Sequence, residues 1–144
     1  MVPLLRRQFV VRVPLAVAWD RLARIAEWPS WARHIRRIDL DPPGPVTPGS
    51  KGRIRLRNGI RSAFRVTEHE PYRHWAWTGP FLGLAVRYDH RFEPVDERST
   101  RLVWIVEAEG FGVTALGRLF AAVYARSLDR AIPRLVAEME GADS

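Results

Sequence analysis

The sequence predicts one α+β domain in which a single antiparallel sheet is covered on one face by a long C-terminal helix. Three observations indicate this fold class: a strand and short helical region at the start, alternating apolar and polar residues broken by turn signals, and a final third with helical apolar spacing. A sheet with one apolar face must bury it against another element, and the last helix is the largest candidate. At 144 residues the chain is long enough for one such core, so residues 1–144 are predicted to form a single domain.

The first strand is predicted to be followed by two short helices. Residues 5–13 are rich in β-branched and aromatic side chains and stop at Pro14, which indicates a strand. From Pro14 onward, apolar residues recur at three- and four-residue spacing, and proline suits the first position of a helix. This helix is predicted to end near Glu27, because Pro29 disfavours helical geometry in the residue before it. A second short helical turn is expected over residues 30–34.

The middle of the chain is typical of an antiparallel meander. It follows an extended segment at residues 35–40 and a loop at 41–52 that contains four prolines and three glycines. The pair Asn58-Gly59 favours a type I′ hairpin, which needs positive φ at both central residues. Five alternating segments bounded by turn signals are predicted to be strands, near residues 52–57, 60–69, 73–79, 84–93 and 100–109.

The C-terminal third predicts an amphipathic helix of about 25 residues. Its arginines at 118, 126, 130 and 134 fall largely on one side. The apolar side is expected to pack on the sheet, and it comprises Leu116, Leu119, Phe120, Val123, Tyr124, Leu128, Ile132, Leu135, Val136 and Met139.

Composition excludes several function classes. The chain has no cysteine, which excludes disulfides, thiol catalysis and thiolate metal sites. No stretch approaches the roughly 18 to 20 apolar residues of a membrane span, and arginines interrupt the apolar N-terminal segment, so a cytoplasmic protein is expected. The net charge is +7, and 22 of the 23 basic residues are arginine. Because Arg53, Arg55 and Arg57 alternate with apolar residues, we expect a solvated surface, with RNA or anionic lipid as the alternative partner.

Three segments resemble a known family. They are VPLAVAWDRLARIAEWPSW (13–31), VTEHEPYRHWAWTG (66–79) and YDHRFEPVDERSTRLVW (88–104), followed by the amphipathic helix. In this order they resemble the polyketide cyclase/dehydrase and lipid-transport group of the START-like (Bet v 1-like, SRPBCC) helix-grip superfamily. The resemblance implies a curved seven-stranded antiparallel sheet wrapped around the long C-terminal helix, with two short helices after the first strand and an apolar cavity inside. It does not imply one reaction, because members include ligand carriers, cyclases, quinone-binding proteins and a ribosome-associated toxin.

Aromatic residues on the predicted strands form the candidate binding site. Residues two apart share a strand face, so Trp75 with Trp77, and Tyr88 with His90, point the same way if the meander pairs in order. One interpretation is that these rings fill a core. The other, favoured by the cavity that the resemblance implies, is a site for a hydrophobic or aromatic small molecule such as a lipid, quinone or polyketide. Its predicted lining is Trp31, Phe64, Trp75, Trp77, Tyr88, His90, Trp104, Phe120 and Tyr124.

His90 is the polar residue on this apolar face. It is either a core histidine bonded to a backbone carbonyl or water, or a hydrogen-bond partner that orients a ligand. His90 and Tyr88 are also weak catalytic candidates, for a polyketide cyclase or dehydratase acting as a lyase or isomerase. A third hypothesis is binding of RNA, the ribosome or a membrane surface through the arginines, although no specific nucleic acid is expected. The protein is expected to be a monomer or homodimer.

Other suggestive segments have simpler interpretations. His69 and His74 flank a turn at Pro71 that does not bring them together, so neither a metal nor any cofactor is expected. The glycines of GFGVTALG (110–117) are expected to end a strand and admit a helix, because the segment lacks the lysine of a phosphate-binding loop.

Two apolar pairs have more than one expected role. Phe81 and Leu82 lie at a hairpin tip, where they either fold over the mouth of the cavity or make a dimer or membrane contact. Trp28 and Trp31 are expected to lock the joint between the two short helices, and Trp31 also to form part of the cavity wall.

Overall fold

The computed structural model describes residues 1–81, 83–110 and 112–142, which form a seven-stranded sheet and a long terminal helix. In chain order the elements are β1 (Val2–Val11), α1 (Leu15–Ala23), a 3₁₀ helix (Ile25–Ser30), β2 (Ile35–Asp41), β3 (Lys51–Leu56), β4 (Arg61–Glu70), β5 (His74–Phe81), β6 (Leu84–Asp96), β7 (Ser99–Glu109) and α2 (Val113–Ala142).

The sheet has the order β1-β7-β6-β5-β4-β3-β2, and every neighbouring pair is antiparallel. Strands β2 to β7 therefore pair in chain order as the predicted meander, and β1 pairs with the last strand. This confirms the predicted fold class. It also brings the aromatic faces together, because Trp75 lies directly opposite His90 and His90 lies directly opposite Trp104.

The helical region after β1 differs from its prediction. The first helix ends at Ala23 instead of near Glu27, because Arg24 leaves helical geometry with ψ at 71°. The next turn is a 3₁₀ helix over Ile25–Ser30, and it contains Pro29. A 3₁₀ helix brings residues three apart onto the same side, which aligns Trp28 with Trp31.

The Asn58-Gly59 turn joins β3 to β4 as predicted, but it is not type I′. Gly59 has a φ of 93°, whereas Asn58 does not have a positive φ. The Gly59 N–H donates to the Leu56 carbonyl, and the Leu56 N–H donates to the Ile60 carbonyl. The loop is therefore a three-residue turn closed by a glycine in the left-handed region, which is the next most common hairpin connection.

Helix α2 buries a narrower stripe than its apolar pattern predicts. Buried positions on it include Phe120, Leu128 and Leu135, whereas Leu119 is 60% exposed and Val123 is 62% exposed. The expectations that Leu119 and Val123 pack on the sheet are therefore both wrong. Residues 119 and 123 each precede a sheet-facing residue, and one residue rotates a helix by about 100°, which places them beside the buried stripe.

Candidate functional site

A cavity lies between the 3₁₀ helix, the centre of the sheet and α2. Its volume is about 30 Å³. That volume accommodates one or two water molecules, so a larger ligand requires the surrounding side chains to move apart. Seven side chains with rings dominate its wall, namely Trp28, Trp31, His34, Tyr88, His90, Trp104 and Tyr124.

The predicted site residues divide into two groups. Trp31, Tyr88, His90, Trp104 and Tyr124 line the cavity directly. The other four lie outside the cavity wall. Trp75 stacks on His90 with centroids 5.0 Å apart, Trp77 lies 4.7 Å from His90, and Phe64 lies 4.6 Å from Trp77. Phe120 belongs to a separate apolar cluster and stacks on Tyr124 with centroids 5.3 Å apart.

Sequence reasoning missed several residues of the wall, among them Trp28, His34 and Leu128. For Trp28 a signal was present, because it lies three residues before Trp31 in a segment that proline restricts to tight turns. His34 and Leu128 carry no such signal, since their place at the cavity depends on how the 3₁₀ helix and α2 meet.

The Trp28–Trp31 pair has a structural role and also forms one wall. The Trp28 Nε1–H donates to the Leu22 carbonyl at 2.9 Å, which ties the 3₁₀ helix to α1. The two indoles lie 5.2 Å apart, and Trp31 stacks on Trp104 with centroids 5.9 Å apart. The pair therefore connects the joint between the helices to the sheet side of the cavity.

His90 is neutral and has one ring nitrogen without a partner. Its Nδ1 lies 3.3 Å from the Trp75 carbonyl oxygen, which only accepts, so Nδ1 carries the hydrogen. Nε2 is then a lone-pair acceptor, and it has no hydrogen-bond partner in the described part of the chain. The residue is 6% exposed, and burial lowers its pKa to about 4, with the charge of Asp89 acting in the opposite direction.

Three further polar groups around the cavity lack partners. Burial raises the pKa of the Tyr88 and Tyr124 hydroxyls, so both remain protonated phenols. The buried Nε1–H of Trp104 has no hydrogen-bond partner among the residues described. The hydroxyls of Tyr88 and Tyr124 make no hydrogen bond within the described chain either, but these two residues are partly exposed. A buried polar group without a partner costs about 1 to 3 kcal/mol. The Trp104 N–H therefore favours a water or a ligand acceptor at this cavity. The Nε1–H of Trp75 and the Nδ1 of His69 are also buried without a partner, and they lie outside the cavity wall.

The same geometry is poorly suited to general acid–base chemistry near neutral pH. An efficient proton-transfer group has a pKa close to the working pH. His90 is shifted well below this range and Tyr88 is shifted above it. The cavity therefore presents hydrogen-bond donors and acceptors more readily than it presents an acid and a base.

The two histidines near Pro71 lie on opposite faces of the sheet. His69 lies opposite Trp75 on the inner face, and its ring contacts Trp19 with centroids 5.6 Å apart. His74 lies on the outer face, with Nδ1 3.0 Å from a carboxylate oxygen of Asp89. Over residues 1–81, 83–110 and 112–142, no three His, Cys, Asp or Glu side chains are grouped as metal ligands.

The hairpin tip after β5 folds inward at Phe81, whose ring lies 4.6 Å from that of Phe120 on α2. Leu82, the other residue of the predicted apolar pair, lies outside the described residues. Phe81 thus belongs to a small apolar cluster between the sheet and the start of α2, with Val86 and Val106.

Many arginines on the outer face of the sheet are paired with acids. Arg87 contacts both Glu68 and Glu107, and Arg91 Nε lies 2.7 Å from Asp89. Arg53 and Arg55 are exposed, as their alternation predicts. None of the described helices has the length and apolar character needed to cross a membrane.

A seven-stranded antiparallel sheet that packs on a long C-terminal helix, with an aromatic-walled cavity between them, defines a START-like helix-grip domain. The chain belongs to the polyketide cyclase/dehydrase and lipid transport family, whose model matches residues 4–140. No curated protein sequence matches the chain.

Solved structures with this fold include relatives from several bacteria. A solution structure from Thermobifida fusca has a TM-score of 0.74 at 20% identity, covering 94% of this chain and 91% of that one. The Zhui aromatase/cyclase from Streptomyces sp. R1128 has a TM-score of 0.71 at 14% identity, covering 94% and 92%. A START superfamily protein from Mycobacterium smegmatis has a TM-score of 0.72 at 12% identity, covering 97% and 99%. At these identities the likeness shows the fold.

Proposed function

We propose that this protein binds a flat hydrophobic or aromatic small molecule, of lipid, quinone or polyketide type, between the sheet and α2. The observation that carries the proposal is an aromatic-walled cavity lined by polar groups that make no hydrogen bond within the described chain. These are the buried Nε1–H of Trp104, the Nε2 of His90 and the hydroxyls of Tyr88 and Tyr124. Polar groups that line a cavity and have no protein partner are available to bond to a ligand or to water.

The donor and acceptor roles of these groups indicate which functional groups the ligand carries. His90 Nε2 accepts a hydrogen bond, so it suits a hydroxyl, whereas the Trp104 N–H donates and suits a carbonyl oxygen. Tyr88 and Tyr124 hydroxyls can do either. An aromatic ligand that carries both hydroxyl and carbonyl oxygens satisfies this set better than a plain hydrocarbon does.

The apolar wall supplies most of the binding energy, and the polar groups supply the rest. Removing about 300 Å² of apolar surface from water contributes about 7 kcal/mol. Lost freedom of the ligand and separation of the wall offset part of this gain. Micromolar affinity needs about 8 kcal/mol, so one or two of the hydrogen bonds are required to reach it.

Ligand entry requires the 3₁₀ helix and α2 to separate, because these two elements form the wall opposite the sheet. The 3₁₀ helix contributes Trp28, the residue that follows it is Trp31, and α2 contributes Tyr124. Binding is preferred to a cyclase or dehydratase activity, because the pKa values of His90 and Tyr88 are shifted away from neutrality. A cytoplasmic location and a monomeric or homodimeric state remain predictions of the sequence.

Native mass spectrometry of the purified protein tests the proposal, with a co-purified small molecule as the expected result. His90→Gln then separates binding from catalysis, because it keeps a similar volume and removes titration. If His90 orients a ligand, affinity falls by about tenfold or less. If His90 is a catalytic acid or base, turnover collapses while affinity holds. His69→Gln is the matched control, since His69 lies on the same face outside the cavity wall.

A further inference from the structure

A second concavity, which we call the arginine groove, adjoins the cavity. Its volume is about 470 Å³. His34 lines both the groove and the cavity, and its ring contacts Tyr124 with centroids 6.4 Å apart. The groove lies between the segment after the 3₁₀ helix and one side of α2, and its lining is Arg33, His34, Val123, Arg126, Ser127, Arg130 and Arg134.

The positive charge of this groove is uncompensated. None of the arginines 33, 126, 130 and 134 has a carboxylate partner among the described residues. The described acids of α2 have partners outside the groove. Asp129 pairs with Arg7, and Glu138 pairs with Arg21. Glu140 accepts a hydrogen bond from the backbone N–H of Arg12. Four guanidinium groups around one concavity, without acids, create a site that attracts an anion.

The groove also has an apolar border on the same helix. Val123 lines it and is 62% exposed, and Leu119 one turn earlier is 60% exposed. Exposed aliphatic side chains beside unpaired arginines suit a molecule that has both an apolar and an anionic part. Burial lowers the pKa of His34, so this residue adds no charge at the boundary between groove and cavity.

We infer that the arginine groove is an anion subsite of the ligand-binding site, so that the ligand is an amphiphilic acid. Its carboxylate or phosphate contacts Arg33, Arg126 and Arg130, and its apolar part enters the cavity past His34 and Tyr124. Guanidinium suits either group, because its planar N–H donors form two parallel hydrogen bonds to carboxylate or phosphate oxygens. This inference rests on the proposed function, and it specifies the chemical class of the ligand.

A matched pair of fluorescent probes tests the inference. N-phenyl-1-naphthylamine is neutral, and 1-anilinonaphthalene-8-sulfonate carries the same rings with a sulfonate. The anionic probe should bind about tenfold more tightly, and this preference should weaken as salt is added. Arg126→Gln combined with Arg130→Gln should abolish the preference and leave binding of the neutral probe unchanged. Arg53→Gln combined with Arg55→Gln removes the same charge from the outer face of the sheet, and should alter neither probe.

Competition tests whether the groove prefers a carboxylate or a phosphate. Dodecanoate and dodecyl phosphate are compared with dodecanol as displacers of the neutral probe, and we expect one or both of the acids to be stronger. Equal affinity for both probes in the wild-type protein would overturn the anion subsite and leave the proposed function standing. If no probe and no candidate ligand binds, the proposed function fails and the inference falls with it.

A vesicle sedimentation experiment distinguishes binding of a ligand from binding of a membrane surface. The paired variant at positions 126 and 130 is sedimented with phosphatidylglycerol vesicles and with phosphatidylcholine vesicles, beside the wild-type protein. If the substitutions weaken only the association with anionic vesicles and leave probe binding unchanged, the groove contacts a lipid surface and the inference is wrong. Loss of anionic probe binding in the same variant supports the subsite.

Discussion

Replacing His90 with glutamine should make the stability of the fold less dependent on pH. The imidazole lies among indoles, with Trp77 at 4.7 Å, Trp75 at 5.0 Å and Trp28 at 5.5 Å between ring centroids. Its burial disfavours the protonated form, so the pKa falls from 6.5 to about 4 on folding. The nearby charges of Asp89 and Arg87 act in opposite directions on this pKa and are smaller than the effect of burial.

The sign and size of the effect follow from these two pKa values. Between pH 6.5 and about pH 4 the unfolded chain binds a proton at this residue and the folded chain does not. Stability therefore falls as the pH is lowered through this window. For one such group, the free energy of unfolding should fall by about 2 kcal/mol between about pH 7.5 and about pH 5.

Urea unfolding followed by tryptophan fluorescence measures this loss at both pH values. The wild-type protein should lose about 2 kcal/mol more than His90→Gln does. Burial also lowers the pKa of His34, so His34→Gln should remove a further part of the loss in the same direction. If His90→Gln and the wild-type protein lose the same free energy, His90 titrates normally in the folded state and the reasoning is wrong.

Three other predictions concern the helix, the cavity and the charged surface. Leu135→Ala should cost about 2 to 5 kcal/mol of unfolding free energy, whereas Val123→Ala should change it by about 0.5 kcal/mol or less. Equal losses in urea unfolding would show that α2 is rotated from the orientation described. Tyr124→Phe should alter stability by less than about 1 kcal/mol, because its hydroxyl has no partner in the described chain, while weakening a hydroxylated aromatic ligand several-fold in a fluorescence titration. If the affinity does not change, the Tyr124 hydroxyl does not bond to the ligand. Nucleic-acid binding, measured by filter retention, should be weak and largely absent at physiological salt. Tight binding under those conditions would favour a macromolecular partner.

The central aromatic row of the sheet was predictable from local pattern. Strand side chains alternate with a period of two, and antiparallel strands joined by short turns pair in chain order, so Trp75, His90 and Trp104 had to meet on one face. The turn at Asn58 was placed correctly, although its backbone type was not. Turn position depends on composition, whereas turn type depends on the length of the loop that the two strands select.

Features that depend on packing between elements were less predictable. Positions 123 and 124 on α2 both fit a three- and four-residue apolar pattern, and only the contact with the sheet decides that Tyr124 faces inward and Val123 outward. The volume of the cavity also depends on packing between elements. Seven ring side chains either fill the space or leave it open according to their rotamers, and no local sequence pattern specifies those rotamers.

Titration of the intact protein with candidate ligands, followed by its intrinsic tryptophan fluorescence, tests the central claim most directly. Trp28, Trp31 and Trp104 line the cavity, so a bound aromatic ligand must lie against them. The account predicts saturable quenching by at least one member of a panel of quinones, flavonoids, fatty acids and polyketides. If the whole panel leaves the fluorescence unchanged, this protein does not bind such a ligand between its sheet and α2.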